Sequence, residues 1–125
     1  MLNQVVLVGR LTDNPTVIDT DSGKKYTAIN LAVQRAFKNS DGIYETDFIR
    51  CILWNGIASN TSEFCQVGDI IGIKGRLQNR SYEDENNNIK YITEVIAERV
   101  TFLSHNDKEK VIKYKNDQSS TSTKK

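Results

Sequence analysis

Hydrophobic and polar residues alternate with a period of two along much of residues 1–103. This alternation, with many β-branched residues, is typical of strands that bury one face. It predicts five strands, over residues 1–9, 26–34, 43–54, 70–82 and 89–103. Polar or glycine-containing segments connect them, with turns at 19–23 and 39–42 and a hairpin tip at 83–88.

One segment, residues 57–66, carries apolar residues at helical spacing. Asn55 is suited to cap its start and Gly68 to end it. The predicted order is therefore three strands, one helix and two strands, which is the order of an OB-fold barrel. The predicted fold class is all-β, a five-stranded OB-fold barrel with one helix between strands three and four.

The third predicted strand has large apolar residues on both faces. If the odd-numbered residues from Ile49 to Leu53 fill the barrel, Phe48 and Trp54 point outward with Arg50 between them. A strand surface that faces solvent is expected to be polar. Aromatic rings stack on any nucleobase, and a guanidinium binds phosphate. The pattern predicts a surface that binds single-stranded nucleic acid.

The fourth predicted strand repeats this arrangement with positive charge. Its odd positions Ile71, Ile73 and Leu77 are predicted to lie in the core. Its even positions form an outward stripe of polar and basic residues that ends in an aromatic: Lys74, Arg76, Gln78, Arg80 and Tyr82. A basic stripe beside an aromatic one suits a polyanion with flat bases.

A further aromatic, Phe37, is expected in the loop after the second strand, flanked by basic side chains. The outward aromatics have an alternative role in a subunit interface, since sheets often bury both faces. The cations have an alternative role as solvated surface charges. The other aromatics of the predicted domain are assigned to packing, namely Tyr26, Tyr44, Phe64, Tyr91 and Phe102, whereas Tyr114 is left unassigned.

Charge divides the 125-residue chain into two parts. Residues 1–105 carry 11 Lys and Arg against 13 Asp and Glu, whereas residues 106–125 carry 6 against 3. The last eight residues contain no apolar side chain, and such a composition favours disorder. We therefore expect an OB-fold domain over residues 1–104 and a flexible basic tail over 105–125.

The composition argues against an enzyme and against a metal site. His105 is the only histidine, and no phosphate-binding loop or nucleophile motif occurs. The acidic run at 83–85 does not follow the EF-hand pattern. Cys51 and Cys65 have no metal-ligand spacing and are expected to be buried thiols in a reducing cytoplasm. No metal, cofactor or membrane is expected, and the N-terminus lacks the pattern of a secretory signal.

Several motifs, in order and at matching spacing, resemble those of the bacterial single-stranded-DNA-binding proteins. They cover about residues 1–104 and read LNQVVLVGRLT at 2–12, NP at 14–15, DFIRCILW at 47–54, VGD at 67–69, GRLQNRSY at 75–82 and TEVIAE at 93–98. Singly these motifs are weak, but their order and spacing together are specific.

The resemblance implies an OB-fold homotetramer that coats single-stranded DNA without sequence preference during replication, recombination or repair. It places the stacking positions on Phe37, Phe48, Trp54 and Tyr82. It maps cationic contacts onto Arg50, Arg76 and Arg80, and the full set of predicted backbone contacts is Arg10, Arg35, Lys38, Arg50, Lys74, Arg76 and Arg80. The expected location is the cytoplasm, at the nucleoid.

Two departures from the family pattern narrow these expectations. The segment from Cys65 to Gly68 lacks the lysines that the family commonly has there. The chain ends in Lys124-Lys125, where many members end in an acidic tip with a terminal aromatic. Docking of replication or repair enzymes through such a tip is therefore not expected, and the sequence is closer to an accessory, competence, plasmid or phage paralogue.

The residues themselves leave other functions open. An RNA-binding OB module has the same local signals, because a contact to a 2′-hydroxyl leaves no sequence signature. A primosome-type adaptor would use the aromatic surface to dock a protein. An OB-fold nuclease would need an acidic metal site, whereas the acids cluster in the turn at 83–85.

Overall fold

The computed structural model describes residues 1–105, so all of the predicted tail except His105 lies outside the described residues. Strands dominate the described part, and a single helix interrupts them. In chain order the elements are β1 (Val5–Leu11), β2 (Ile18–Asp19), β3 (Lys25–Lys38), β4 (Tyr44–Trp54), α1 (Asn55–Phe64), β5 (Ile70–Glu83) and β6 (Ile89–Ser104).

Five of the strands close into a barrel. The order is β1-β5-β6-β4-β3, and a short pairing of Arg10 and Leu11 in β1 with β3 closes the ring. All pairings are antiparallel except that of β4 with β6. The helix lies between β4 and β5 in the chain, so the predicted OB-fold is confirmed. The two-residue β2 on the edge of β3 was not predicted because it is too short to show a periodicity.

The barrel interior contains the odd-numbered residues of the strands, as the alternation predicts. Leu31, Leu53, Ile71 and Ile73 are essentially inaccessible to solvent. Both cysteines are buried as well, and burial raises the pKa of the Cys51 thiol to about 12. A thiol with so high a pKa stays protonated at neutral pH and behaves as a small apolar core residue.

The prediction that Leu77 lies in the core is wrong. Its side chain is 47% exposed, although it has the same parity as Ile71 and Ile73. The pairing of β5 with β6 shifts register between Lys74 and Gly75, and every residue of β5 from Leu77 onward is exposed. β5 pairs with β1 only as far as Gly75, so Leu77 lies beyond that pairing and parity no longer decides its burial. Further along, β5 and β6 project from the barrel as a hairpin.

Four aromatic residues that were assigned to packing remain exposed, contrary to that assignment. Tyr44 and Tyr91 belong to hairpin regions outside the barrel core. Phe64 and Phe102 contact each other with ring centroids 6.1 Å apart, yet both rings stay largely accessible. These residues show the strand or helix spacing of core positions but lie where no second layer covers them.

The helix begins and ends two residues earlier than predicted. Trp54 occupies the N-cap position without a side-chain hydrogen bond, so the prediction that Asn55 caps the helix is wrong. The Asn55 side chain instead accepts a hydrogen bond from the backbone N–H of Lys25. Gly68 lies in the turn before β5 with a φ of 93°, a conformation that favours glycine. Over residues 1–105, no helix has the length and apolar character needed to cross a bilayer.

Candidate nucleic-acid interface

The outer surface of β3 and β4 presents aromatic rings beside small neighbours. Phe48 pairs with Ala32 and Arg50 with Asn30 in the register of these strands. Phe48 is 67% exposed, because an alanine side chain opposite it cannot cover the ring. The predicted outward orientation of Phe48 is therefore seen in the structure.

Trp54 ends β4 and lies opposite Tyr26 of β3. Their ring centroids are 5.3 Å apart and the planes are tilted by 42°, a favourable aromatic arrangement. Tyr26 thus supports the indole from one side, and Trp54 retains 38% exposure. The sequence assigned Tyr26 only to packing, although its even parity on β3 was the signal that it shares this surface with Trp54.

Two arginines meet one carboxylate at the centre of this surface. Glu94 of β6 accepts hydrogen bonds from Arg50 Nε at 2.7 Å, from Arg80 Nε at 3.0 Å and from Arg80 Nη2 at 3.2 Å. Its side chain is only 3% exposed, whereas both arginines are well exposed. Burial raises the pKa of Glu94, but the hydrogen bonds and charges of Arg80 and Arg50 outweigh it, so the pKa lies below its ordinary value.

Arg80 links this centre to the projecting hairpin. The hydrogen bond to Glu94 is the main reason why the pKa of Arg80 is raised, and the nearby phenols of Tyr82 and Tyr26 raise it further. Tyr82 itself is half exposed on the hairpin. We call the set formed by Phe48, Arg50, Trp54, Arg80 and Tyr82 the aromatic face.

Phe37 lies in β3 and not in a loop, because this strand runs four residues beyond the predicted end. The pairing with β4 shifts register between Gln34 and Lys38, and Phe37 is almost fully exposed in this irregular part. Lys38 places its Nζ 5.6 Å from the centroid of the Tyr44 ring. Both predicted site residues therefore lie on the outer arm of the β3–β4 hairpin, beyond Phe48 along these strands.

Arg35 is engaged by two acids. Its guanidinium donates to Asp47 at 2.9 and 3.1 Å and to Glu45 at 2.8 Å. The hydrogen bond with Asp47 is the main cause that raises the pKa of Arg35 and lowers that of the carboxyl. Gln34 pairs with Thr46, and Arg35, the next residue of β3, points to the opposite face of the sheet from that pair. The structure therefore gives Arg35 a role in holding the β3–β4 hairpin.

The remaining predicted cations occupy three different places. Arg76 lies on β5 before Gln78 and Arg80. It donates a hydrogen bond to Gln78 at 2.7 Å and lies 3.8 Å from Glu98. Arg10 donates to the carbonyl of Gly68 at 2.7 Å. Lys74 lies in a separate groove beside β1, so the structure does not bring it together with the aromatic face.

An open groove of about 410 Å³ lies next to the aromatic face. It is lined by Arg10, Ala32, Gln34 and Thr46 among others, and Ala32 is the residue that pairs with Phe48. The groove therefore extends from the strand position that pairs with Phe48 toward β1. Its lining mixes polar side chains with the apolar side chains of Val8 and Ile70.

Comparison with known proteins gives a family match over nearly all of the described residues. The model of the single-strand binding protein family matches residues 2–103. These residues include every element from β1 to β5 and all but the last residue of β6. The match thus covers both the barrel and the projecting hairpin that carries Tyr82.

Individual relatives agree with this match. Single-stranded DNA-binding protein B of Bacillus subtilis is 46% identical over 110 residues, which are 88% of this chain and 97% of that protein. Single-stranded DNA-binding protein 3 of Listeria innocua is 45% identical over 103 residues, which are 82% of this chain. The chain spans 64% of that protein and 61% of the single-stranded DNA-binding protein of Bacillus cereus, which is also 45% identical. The chain belongs to the single-strand binding protein family.

Proposed function

We propose that this protein binds and coats single-stranded DNA without sequence preference. The observation that carries the proposal is the aromatic face, where exposed rings and guanidinium groups alternate along one surface. The names of these relatives, all single-stranded DNA-binding proteins, support it. The bases stack on Phe37, Phe48, Trp54 and Tyr82, while Arg50, Arg80, Arg76 and Arg10 follow the sugar–phosphate backbone.

Stacking explains why the sequence of the DNA matters little. Every base has a π face, and stacking on an aromatic side chain contributes about 1–3 kcal/mol per base whichever base is bound. Paired bases of a duplex already stack on one another and do not offer their faces to a sheet surface. The arrangement of the rings along the strands therefore suits an extended single strand.

For DNA binding, the location of the charged residues on the surface matters more than the net charge of the domain. Residues 1–105 have two more acidic than basic residues, so the domain as a whole does not attract a polyanion. Positive charge lies on the aromatic face, while several acids lie elsewhere, for example at the hairpin tip around Asp84. A local basic surface is sufficient to bind phosphates and makes the affinity depend on salt.

A protein of this kind protects the single strands that arise in DNA replication, recombination and repair. We propose this role, in the cytoplasm at the nucleoid, as the use to which the binding activity is put. Binding that is tolerant of sequence suits such intermediates, because any part of a genome can become single-stranded. An aromatic surface supported on strands of a closed barrel is rigid and loses little conformational freedom on binding.

Titration with oligo-dT at two salt concentrations tests the proposed function. We expect quenching of the single tryptophan, weaker binding at higher salt, and only a modest difference between oligo-dT and a mixed sequence of equal length. A duplex of that length serves as the control and is expected not to compete. A preference of about a thousandfold for one sequence would indicate base readout instead, and stronger binding of an RNA of equal length would favour an RNA-binding module.

We further propose that a second copy of this chain covers the outer surface of β1 in a homotetramer. Val6 and Val8 are exposed on β1 and Leu103 on β6, and they line an apolar groove of about 260 Å³. One edge of β1 pairs with β5 from Val5 to Arg10, whereas the other pairs with β3 only at Arg10 and Leu11. The open edge beside an apolar surface suits antiparallel pairing with the same strand of another copy.

Charge introduced into this surface tests the assembly. Val6→Asp/Val8→Asp is expected to lower the molecular mass measured by light scattering after gel filtration, because removing two carboxylates from water in the contact between copies costs more than an ion pair with Lys74 or Arg99 of the groove returns. Ile89→Asp is the matched control, since Ile89 is equally exposed but lies at the hairpin end. A parent protein with the mass of one chain, or a double variant with the mass of the parent, would contradict this interface.

A further inference from the structure

The most buried charge on the aromatic face is an acid. Glu94 is nearly inaccessible, and it accepts three hydrogen bonds from Arg50 and Arg80. A carboxylate repels the phosphates that this surface is proposed to bind. Its position at the centre of the face therefore needs a function that outweighs this repulsion.

The sheet topology brings both arginines to the same carboxylate. The parallel pairing of β4 with β6 aligns Cys51 with Val95, which sets Arg50 beside Glu94. The antiparallel pairing of β5 with β6 aligns Gln78 with Glu94, and Arg80 is the next residue of β5 on the same face as Gln78. Glu94 thus lies between the strands that carry the two arginines and contacts both.

The hydrogen bonds leave specific donors for a ligand. The Glu94 carboxylate accepts a hydrogen bond from the Nε of both guanidinium groups. Within residues 1–105, both terminal nitrogens of Arg50 and the Nη1 of Arg80 donate to no protein acceptor. Since a guanidinium is planar, fixing its Nε edge also fixes the direction of the remaining N–H groups.

We infer that Glu94 is a positioning residue for DNA binding, which orients Arg50 and Arg80 so that their outer N–H groups meet the phosphates of a strand stacked on the rings. The inference rests on the proposed function. Arginine loses considerable rotamer freedom when a ligand fixes it, and a protein that has already restricted the side chain avoids part of that loss on binding. The aromatic rings then place the bases and Glu94 places the cations beside them.

A simple charge account makes the opposite prediction. If Glu94 only lowered the positive potential of the aromatic face, the Glu94→Gln variant, whose side chain is neutral and of the same shape, would bind a polyanion more tightly. If it positions the arginines, neutralisation weakens binding even though the face becomes more positive. The sign of the change in affinity therefore distinguishes the two.

Glu94→Gln is the first variant to measure, with fluorescein-labelled oligo-dT and anisotropy over a series of salt concentrations. We expect about tenfold weaker binding, because two side chains are no longer pre-oriented. The slope of log affinity against log salt should become shallower by about 0.7 for each phosphate that the arginines no longer neutralise. Equal or tighter binding would overturn the inference, and so would weaker binding with the slope of the parent, because that would leave Glu94 a purely structural role.

Glu98→Gln is the matched control. It removes the same charge from the same strand and the same parity, but Glu98 is half exposed and its partner Arg76 is 3.8 Å away. Its affinity is expected to equal or slightly exceed that of the parent. If Glu98→Gln weakened binding as much as Glu94→Gln, the effect would not come from the orientation of Arg50 and Arg80, and the inference would fail.

Glu94→Asp keeps the test decisive if the glutamine variant does not fold, as judged by circular dichroism. Aspartate retains the negative charge but is one methylene shorter and cannot reach both guanidinium groups. Weaker binding with a shallower salt slope supports positioning, whereas the affinity of the parent overturns it. If the parent itself fails to bind oligo-dT, the proposed function fails as well; if the parent binds and the Glu94 variants match it, only this inference fails.

Discussion

Trp54→Ala is expected to weaken binding of oligo-dT by about 1–3 kcal/mol, which is roughly 5- to 150-fold in Kd. The indole is open to solvent on one side and supported by Tyr26 on the other, so it offers a fixed surface to one base. Because this is the only tryptophan, the variant has no intrinsic signal of binding, and anisotropy of a labelled oligonucleotide is the measurement.

Two further variants make the result specific to stacking on this face. Trp54→Phe retains an aromatic ring and should keep most of the affinity. Tyr91→Ala removes a ring that is 76% exposed on the other face of the hairpin. Tyr91 pairs with Ser81, whereas its neighbour Lys90 pairs with Tyr82, so the rings of Tyr91 and Tyr82 point to opposite faces. We expect Tyr91→Ala to bind like the parent. Parental affinity in Trp54→Ala would remove Trp54 from the binding surface.

Gly75→Ala is expected to destabilise the fold by about 3 kcal/mol, at the upper end of the usual cost of overpacking. A Cβ on Gly75 would overlap the carbonyl oxygen of Ile96 and would lie 3.1 Å from the Cα of Ala97. These atoms belong to the backbone of the paired strand and cannot rotate away. The site also coincides with the register shift between Lys74 and Gly75, and β6 is held there by its pairing with β4 at Val95 and Ile96, so relief of the overlap requires the strands to separate.

Thermal unfolding at one protein concentration measures this effect. A loss of about 3 kcal/mol corresponds to a decrease in Tm of more than roughly 10 °C for a domain of this size. Gly56→Ala is the matched control, because a Cβ there meets nothing within 4 Å and Gly56 lies in α1. Alanine in place of this first-turn glycine is expected to raise stability slightly, by at most about 0.5 kcal/mol. A Tm for Gly75→Ala equal to that of the parent would contradict the predicted overlap.

The local pattern predicted most of the barrel because a strand that buries one face has apolar residues at every second position. Ile71 and Ile73 are buried and Phe48 is exposed, as alternation requires. The helix was placed within two residues of its observed ends, since apolar spacing survives without tertiary information. Element ends were less accurate, as Phe37 shows, because a strand continues wherever a partner strand is available.

The succession of five long strands and one helix along the chain, most of the inward and outward residues within the barrel, and the outward aromatics follow from the amino-acid pattern alone. Strand pairing in three dimensions was needed to show that Leu77 lies beyond the pairing of β5 with β1 and that Tyr26 supports Trp54. The same holds for the two acids that bind Arg35 and for Glu94, which joins Arg50 to Arg80. The reason is that parity along one strand reports which side a residue faces, whereas contacts between residues 10 to 44 positions apart depend on how the strands are paired and where the barrel ends.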